Sequence, residues 1–273
     1  MRIFALAAVC FWALVSAQAQ NSKSAALAQT SITAEQEQLA TREAARLNAS
    51  DFETRLDAAH NLRLQQNVVA ARVAAIALKD QSALVRAVAC EAVAYAADED
   101  AARALTPLLL PTEKSEDVRR EAAFALGEAH SKSGVPALIK SLQTDKKASV
   151  RAAAAIALGK IADVRAIESL SQILLLPETK KNRRAVDEFV RRSAARSLGA
   201  IRDIQAVPAL VVALREQRNS DDIRREAAFA LGEIADKSAA AVLRDNLAAP
   251  DYLLAQIAAA ALQKISLTVT ERK

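Results

Sequence analysis

Residues 119–128 of this chain read RREAAFALGE, and residues 224–233 read the same ten letters. Weaker copies open at residues 54, 85, 150 and 190, and a degenerate copy opens at Leu254. With each unit counted from the residue before its arginine, the spacings are 31, 33, 32, 40, 33 and 31 residues. Seven units at a nearly constant period predict a repeat protein.

The first half of each unit has helical periodicity. Counting the opening residue as position 0, alanines recur at positions 4 and 5, as in Ala122 and Ala123. Leucine or valine recurs at position 8, as in Leu126. These positions share one face of an α-helix. The small alanines predict a close approach between neighbouring helices.

The second half of each unit predicts another helix. Position 13 holds residue types that cap helix N-termini. Leucines follow seven and eleven residues later, on one helical face. Because a single hairpin cannot bury its apolar stripe, the hairpins stack, and we predict an all-α fold, an α-α superhelix of about seven helix pairs. The predicted caps are Asn67, Asp98, Ser131, Asp163, Asp203 and Asp236; the leucines are Leu105, Leu138, Leu170, Leu210 and Leu243 at the first position and Leu78, Leu109, Leu142, Leu174, Leu214 and Leu247 at the second.

The first nineteen residues have the parts of a secretory signal peptide. Arg2 precedes an apolar run at residues 3–15, and Ala17-Gln18-Ala19 forms a small-residue cleavage site. The run is shorter than the roughly 20 residues that span a bilayer; the alternative is a buried N-terminal helix. Removing one arginine from 37 Lys+Arg leaves 36 − 32 = +4. We therefore predict a periplasmic or secreted protein without stable membrane insertion.

Residues 20–49 lie outside the repeat and are predicted to be a polar segment followed by a capping helix. Thr33 and Gln36 form a capping box that begins a helix running to about Leu47. A second capping box, from Ser50 to Glu53, opens the repeat region, which we place at residues 50–273.

The pattern DxxVRxxAAxALGxI, followed by an Asp-led second helix, resembles the short HEAT-like repeat of the phycobilisome lyase type, over roughly residues 50–265. The resemblance implies a curved superhelix that binds proteins along its concave face, usually through the second helices. Similar repeats serve in scaffolds, transport adaptors, chromophore lyases, a di-iron hydroxylase and DNA glycosylases. The fold does not choose among these functions.

No residue is predicted to be catalytic, to bind a cofactor or to ligate a metal. The di-iron hydroxylase needs His-Glu pairs, but here His60 precedes Asn61 and His130 precedes Ser131. One mature cysteine, Cys90, and two scattered histidines do not make a zinc site. Cys90 aligns with an alanine of the core, so we expect a buried thiol. The mature chain lacks the Trp and aromatic cluster expected of a glycosylase, and we predict neither enzymatic activity nor nucleic-acid binding.

Arginine occupies position 1 in six units. One interpretation is a basic stripe for an acidic partner. The other is a ladder in which each arginine binds carboxylates or carbonyls of neighbouring repeats, and it predicts that Arg151→Ala lowers the melting temperature. The column consists of Arg55, Arg86, Arg119, Arg151, Arg191 and Arg224.

The 40-residue spacing marks an insertion near residues 177–190, PETKKNRRAVDEFV. Insertions in repeat proteins map to loops and often to the binding face. The segment is either a solvated charged loop or a docking site for an acidic surface. Its candidate partner-binding residues are Lys180, Lys181, Arg183, Arg184 and Arg192.

These observations predict an exported scaffold that mediates protein–protein interaction in the cell envelope and needs no cofactor. The alternative is an accessory or lyase-like enzyme related to the phycobilin lyases. A third possibility is polyanion binding through the basic insertion, which predicts a steep dependence on salt.

Overall fold

The computed structural model describes residues 33–176 and 187–270, and within them it contains α-helices and short 3₁₀ turns but no strand. The predicted all-α superhelical class is confirmed. The helices are α1 (Ala34–Arg46), α2 (Phe52–Gln65), α3 (Val68–Ala77), α4 (Ala83–Val93), α5 (Asp98–Leu105), α6 (Glu116–Glu128), α7 (Val135–Thr144), α8 (Ala148–Ile161), α9 (Ile167–Leu175), α10 (Glu188–Ile201), α11 (Val207–Arg215), α12 (Asp221–Ile234), α13 (Ala240–Asp245) and α14 (Tyr252–Thr270).

The described residues form six helix pairs and one unpaired helix of the repeat. The first helices of the units are α2, α4, α6, α8, α10, α12 and α14, and each packs against the next in a continuous row. The second helices are α3, α5, α7, α9, α11 and α13, and each packs against the first helix of the following unit. The seventh predicted unit therefore contributes only α14 to this part of the chain.

Glycine brings the first helices into backbone contact. A Cβ added to Gly127 would lie 2.8 Å from the Cα of Ala157, and one added to Gly199 would lie 2.7 Å from the Cα of Ala230. Ser197 fills the matching place beside Gly159. These contacts confirm the close approach between neighbouring first helices that the small alanines predict.

The leucine columns of the second helices form the core. All five leucines at the first predicted position are fully buried. At the second position Leu142, Leu174 and Leu214 are also fully buried, but Leu247 is 46% exposed. The prediction was wrong for Leu247 because α13 ends at Asp245, so that no helix carries this side chain to the core.

The predicted caps hold in most units. Asn67 accepts hydrogen bonds from the N–H groups of Val69 and Ala70, and the caps of the later units begin short 3₁₀ turns that lead into the helices. Asp98 is an exception, because it lies inside α5 and its carboxylate accepts from Ser131 Oγ at 2.6 Å instead. The repeat region opens at Asp51 rather than through the box that begins at Ser50.

The arginine ladder is present. Arg55 donates from Nε to the Asp80 carboxylate at 2.7 Å and from Nη1 to the carbonyls of Ala49 and Ser50 at 3.0 and 2.9 Å. This rung thus links the loop before α2 to the loop after α3. The other rungs join Arg86 to Glu113, Arg119 to Asp145, Arg151 to the Asp145 carbonyl, Arg191 to Asn219 and Arg224 to Asn246.

The N-terminal helix α1 begins at the predicted capping box, in which Thr33 and Gln36 exchange hydrogen bonds of 3.2 Å. It packs against α2 and α3 and so covers the first pair. The predicted signal peptide, residues 1–19, lies outside the described residues.

Candidate protein-binding face

The first helices leave one side in contact with water at positions 6 and 10 of the units, and in several units the side chains at positions 2 and 3 are also half-buried or exposed. We call this side the first-helix face. It carries apolar side chains that the core does not absorb: Leu64 is 69% exposed, Phe229 44%, Tyr95 43% and Ile156 37%. Positions 4, 5 and 8, by contrast, are buried in the first six units. The face therefore combines a rigid helical support with apolar groups in contact with water.

One groove on this face, of about 550 Å³, lies across α2, α4 and α6. We call it the N-terminal groove. Leu64, Tyr95 and Phe124 supply its apolar lining. Its charged lining consists of Arg63, Glu91, Glu121 and Glu128.

Each carboxylate of the N-terminal groove has a cationic partner: Glu91 pairs with Arg63, Glu121 with Arg120 and Glu128 with Lys160. Arg63 Nη1 lies 3.0 Å from Glu91 Oε2, and these side chains are 38% and 42% exposed. Glu121 accepts from the adjacent Arg120 at 3.1 and 3.2 Å. The lining itself holds three carboxylates and one guanidinium, a balance of 1 − 3 = −2.

A second groove, of about 510 Å³, lies across α10, α12 and α14, and we call it the C-terminal groove. Phe229 and Ile257 line it together with Arg192, Arg196 and Arg225 and with two carboxylates, Asp222 and Glu226. Three guanidinium groups and two carboxylates give this lining a formal charge of 3 − 2 = +1.

The guanidinium groups of the C-terminal groove bind carboxylates of the next helix or loop. Arg196 donates to both oxygens of Glu226, at 2.5 and 3.1 Å, which raises the pKa of Arg196 above its ordinary value. Arg225 donates to both oxygens of Asp251, at 2.7 and 2.8 Å, and this contact raises the pKa of Arg225 and lowers that of Asp251. These pairs fix the arginine side chains across the seams between repeats.

Of the residues predicted from the basic insertion, only Arg192 lies in the described part of the chain. It lines the C-terminal groove, and its Nη1 is 2.9 Å from Asp222 Oδ2. The other candidates, Lys180, Lys181, Arg183 and Arg184, lie outside the described residues. The docking role of the insertion therefore stays a prediction.

The reactive residue types are dispersed. Cys90 is fully buried, as expected, and burial raises the pKa of its thiol. His60 is half-buried on α2, while His130 follows α6 in a left-handed conformation with φ of 49°. Within residues 33–176 and 187–270, no three His, Cys, Asp or Glu side chains are grouped as metal ligands. No helix in those ranges is long and apolar enough to cross a membrane.

The first-helix face was not predicted from the sequence, because the residues that recur in every unit are those that hold the solenoid together. The signal lay in the positions that change between units. Position 6 holds His60, Glu91, Phe124, Ile156, Arg196, Phe229 and Ala260, whereas the neighbouring position 5 is alanine or cysteine throughout.

Comparison with known proteins gives a family and a fold. The family model for HEAT repeats matches residues 109–189 and 180–263. An engineered protein of solved structure is 26% identical over 84% of this chain and 68% of its own, with a TM-score of 0.51. The complex of CpcE and CpcF of phycocyanin lyase from Nostoc sp. PCC7120 is 22% identical over 86% of this chain and 95% of its own, with a TM-score of 0.49. Human deoxyhypusine hydroxylase is 20% identical over 85% and 97%, with a TM-score of 0.41. No curated protein sequence matches.

Proposed function

Because the chain belongs to the HEAT repeat family, we propose that it is a protein-binding scaffold of the cell envelope and that it works without catalysis. The observation that carries this proposal is the exposure of large apolar side chains on the first-helix face. Leu64, Tyr95 and Phe229 are each more than two-fifths exposed on helices whose buried faces already form a complete core.

An apolar surface with a polar rim is typical of a protein interaction site. The rim here consists of the ion pairs between neighbouring first helices, such as Arg63 with Glu91 and Arg196 with Glu226. Aromatic anchors supply much of the binding energy in protein interfaces. Tyr95, Phe124 and Phe229 are such anchors, and successive repeats hold them at fixed separations.

The absence of catalysis is part of the proposal. Among the described residues, Cys90 is buried beyond reach of a substrate, and the two histidines lie on different units. The pKa shifts at the grooves arise from arginine–carboxylate pairs that link repeats, as for Arg196 and Asp251. Such pairs are structural, so these shifts do not point to a general base.

Photo-crosslinking tests which face binds. A photoreactive amino acid at position 124 or 229, in the full chain expressed in its own cells, should give discrete adducts with one partner. The control carries the same group at position 212, where Val212 is 52% exposed on the second helix α11. Adducts at position 212 but not at 124 or 229 would move the binding surface to the second helices, as the family resemblance implied.

Export is proposed from residues 1–19, with Arg2, the apolar run and the Ala17-Gln18-Ala19 site. Cell fractionation combined with intact mass measurement tests it. We expect the protein in the envelope or medium, with a mass that corresponds to a chain beginning near Gln20. A full-length chain retained in the cytoplasm would remove the cell-envelope part of the proposal and leave the scaffold part in place.

A further inference from the structure

The two grooves of the first-helix face share one identical wall. Residues 119–128 on α6 and residues 224–233 on α12 have the same ten letters. In both, the glutamate at position 10 pairs with a lysine of the following first helix, Glu128 with Lys160 and Glu233 with Lys264. The grooves can therefore be compared as if one wall had been held constant.

The opposite walls differ in charge and in size. At position 6, α4 presents Glu91 where α10 presents Arg196. At position 10, α4 presents Tyr95 where α10 presents Ala200. The N-terminal groove therefore gains a carboxylate and an aromatic ring where the C-terminal groove has a guanidinium and a methyl group.

This difference changes the hydrogen-bond partner of the glutamate at position 3 of the shared wall. In the C-terminal groove, Glu226 accepts two hydrogen bonds from Arg196 of the neighbouring helix, at 2.5 and 3.1 Å. In the N-terminal groove, the corresponding Glu121 faces a wall that carries Glu91 and turns to Arg120, the residue beside it. Position 6 of the neighbouring helix therefore carries a carboxylate, Glu91, in the N-terminal groove and a guanidinium, Arg196, in the C-terminal groove.

We propose that the N-terminal groove binds a basic amphipathic segment of a partner protein. A lysine or arginine of that segment lies between Glu91 and Glu121, where Arg196 lies in the other groove. Apolar side chains of the segment cover Leu64, Tyr95 and Phe124. This proposal rests on the scaffold function proposed above and names the chemistry of the partner.

Charge complementarity selects this occupant. The lining residues carry a formal charge of −2, and with their ion-pair partners Asp117, Arg120 and Lys160 included the charge is 3 − 4 = −1, although the whole chain carries +5. An acidic segment would meet three carboxylates, whereas a cation gains charge-assisted hydrogen bonds. The rings of Tyr95 and Phe124 attract a nearby cation as well and offer apolar area to the rest of the segment.

The test uses a fluorescent helical peptide of leucine and lysine, with two comparison peptides. One replaces lysine by glutamate, and the other replaces leucine by serine. Fluorescence anisotropy with the full chain should show binding of the leucine–lysine peptide only. Binding of the glutamate peptide with equal or higher affinity would overturn the proposal.

Matched variants locate the site. Glu121→Gln should weaken binding of the leucine–lysine peptide about tenfold, because a charge-assisted hydrogen bond is lost. Glu226→Gln, the same change in the identical wall, should leave binding within about twofold, because Glu226 lies in the other groove. Tyr95→Ala should weaken binding as well. Circular dichroism checks that each variant keeps its helical content.

Equal effects of Glu121→Gln and Glu226→Gln, or no effect of either, would contradict the assignment of this groove. The scaffold function is judged separately by crosslinking at positions 124 and 229. Discrete adducts at those positions without binding of the leucine–lysine peptide would reject this inference alone. Absence of adducts together with absence of peptide binding would reject both.

Discussion

The carboxylate of Asp145 accepts two hydrogen bonds from the guanidinium of Arg119, 2.7 Å from Nε and 3.2 Å from Nη2. The backbone carbonyl of the same Asp145 accepts from Arg151 at 3.0 Å. Arg119 also donates to the carbonyls of Glu113 and Lys114, so one side chain ties together the loops on both sides of its unit. Asp145 in turn connects two successive rungs of the ladder.

Arg119→Ala should destabilise the fold strongly. The Arg119 and Asp145 side chains are 10% and 7% exposed, so the substitution leaves a carboxylate without its counter-ion in a shielded place. Removing one partner of a buried pair costs about 3–5 kcal/mol. The melting temperature should fall by about 10 °C in thermal unfolding followed by circular dichroism. Arg103→Ala is the control, because its pair with Asp100 is 75% and 55% exposed, and the change expected there is within about 0.5 kcal/mol. Similar losses in the two variants would show that the ladder does not hold the repeats together.

Gly199→Ala should destabilise the contact between α10 and α12. The new Cβ would lie 2.7 Å from the Cα of Ala230, which is backbone and cannot rotate away. Overpacking of this kind costs about 1–3 kcal/mol and exceeds the gain of about 1 kcal/mol in helix propensity. Chemical denaturation measures the difference. Gly134→Ala is the comparison, because its nearest contact is the end of the Leu126 side chain at 2.8 Å, and a smaller loss is expected. A stabilised Gly199→Ala variant would mean that the two helices have room to separate.

The sequence was sufficient for the fold because the same local pattern is repeated in every unit. Alanines at positions 4 and 5, the arginine at position 1 and the leucines of the second helices each have one structural role, and repetition made those roles visible. The errors fell where one unit departs from the pattern. Asp98 does not cap α5 because its carboxylate binds Ser131 of the next unit, and Leu247 lies beyond the end of α13. Contacts between units cannot be read from a single unit.

The grooves were harder to predict because they depend on pairs of residues from different units. That Glu121 lines the same groove as Glu91, whereas Glu226 accepts hydrogen bonds from Arg196, follows only when the helices are stacked in register. The identical decapeptides do not reveal this difference, because it arises from the neighbouring helices α4 and α10. The basic insertion was predicted as a docking site instead, because its positively charged residues are adjacent in the sequence.

Ala162→Gly should stabilise the fold. Ala162 ends α8 in the left-handed region, with φ of 56° and ψ of 41°. An L-residue with a Cβ pays about 1 kcal/mol to adopt this conformation, and glycine does not. The same substitution at Ala260, exposed in the middle of α14, should lower stability by about 0.5–1 kcal/mol. Opposite signs of the two changes in urea denaturation are the expected result, and losses of equal size would show that the end of α8 is not strained.

Asp163 should make stability depend on pH in the acid range. The hydrogen bond from the Arg165 side chain is the main cause that lowers the pKa of Asp163 to about 2, against an opposing effect of burial. A pKa below the unfolded value of 3.8 means that the contribution to stability is complete above about pH 5 and is lost as the pH falls toward about 2. The stability difference between the wild type and Asp163→Asn should therefore be constant near neutral pH and shrink below about pH 4. A difference that stays constant down to about pH 2.5 would place the effect of the substitution in capping geometry rather than in charge.

Phe229→Ala should separate the binding face from the fold. Phe229 is 44% exposed, while Leu231, two residues further along α12, is fully buried. Leu231→Ala should therefore cost about 2–5 kcal/mol through lost burial and a cavity. The loss in Phe229→Ala should be below about 1 kcal/mol, because about half of the side chain already contacts water. Lys264 Nζ lies 5.4 Å from the ring centroid and adds a cation–π contact at the surface. Thermal unfolding of both variants tests whether Phe229 belongs to the core. Crosslinking at position 124 is measured in the same variants to test binding. A large loss of stability in Phe229→Ala would assign this ring to the core and remove it from the proposed binding face.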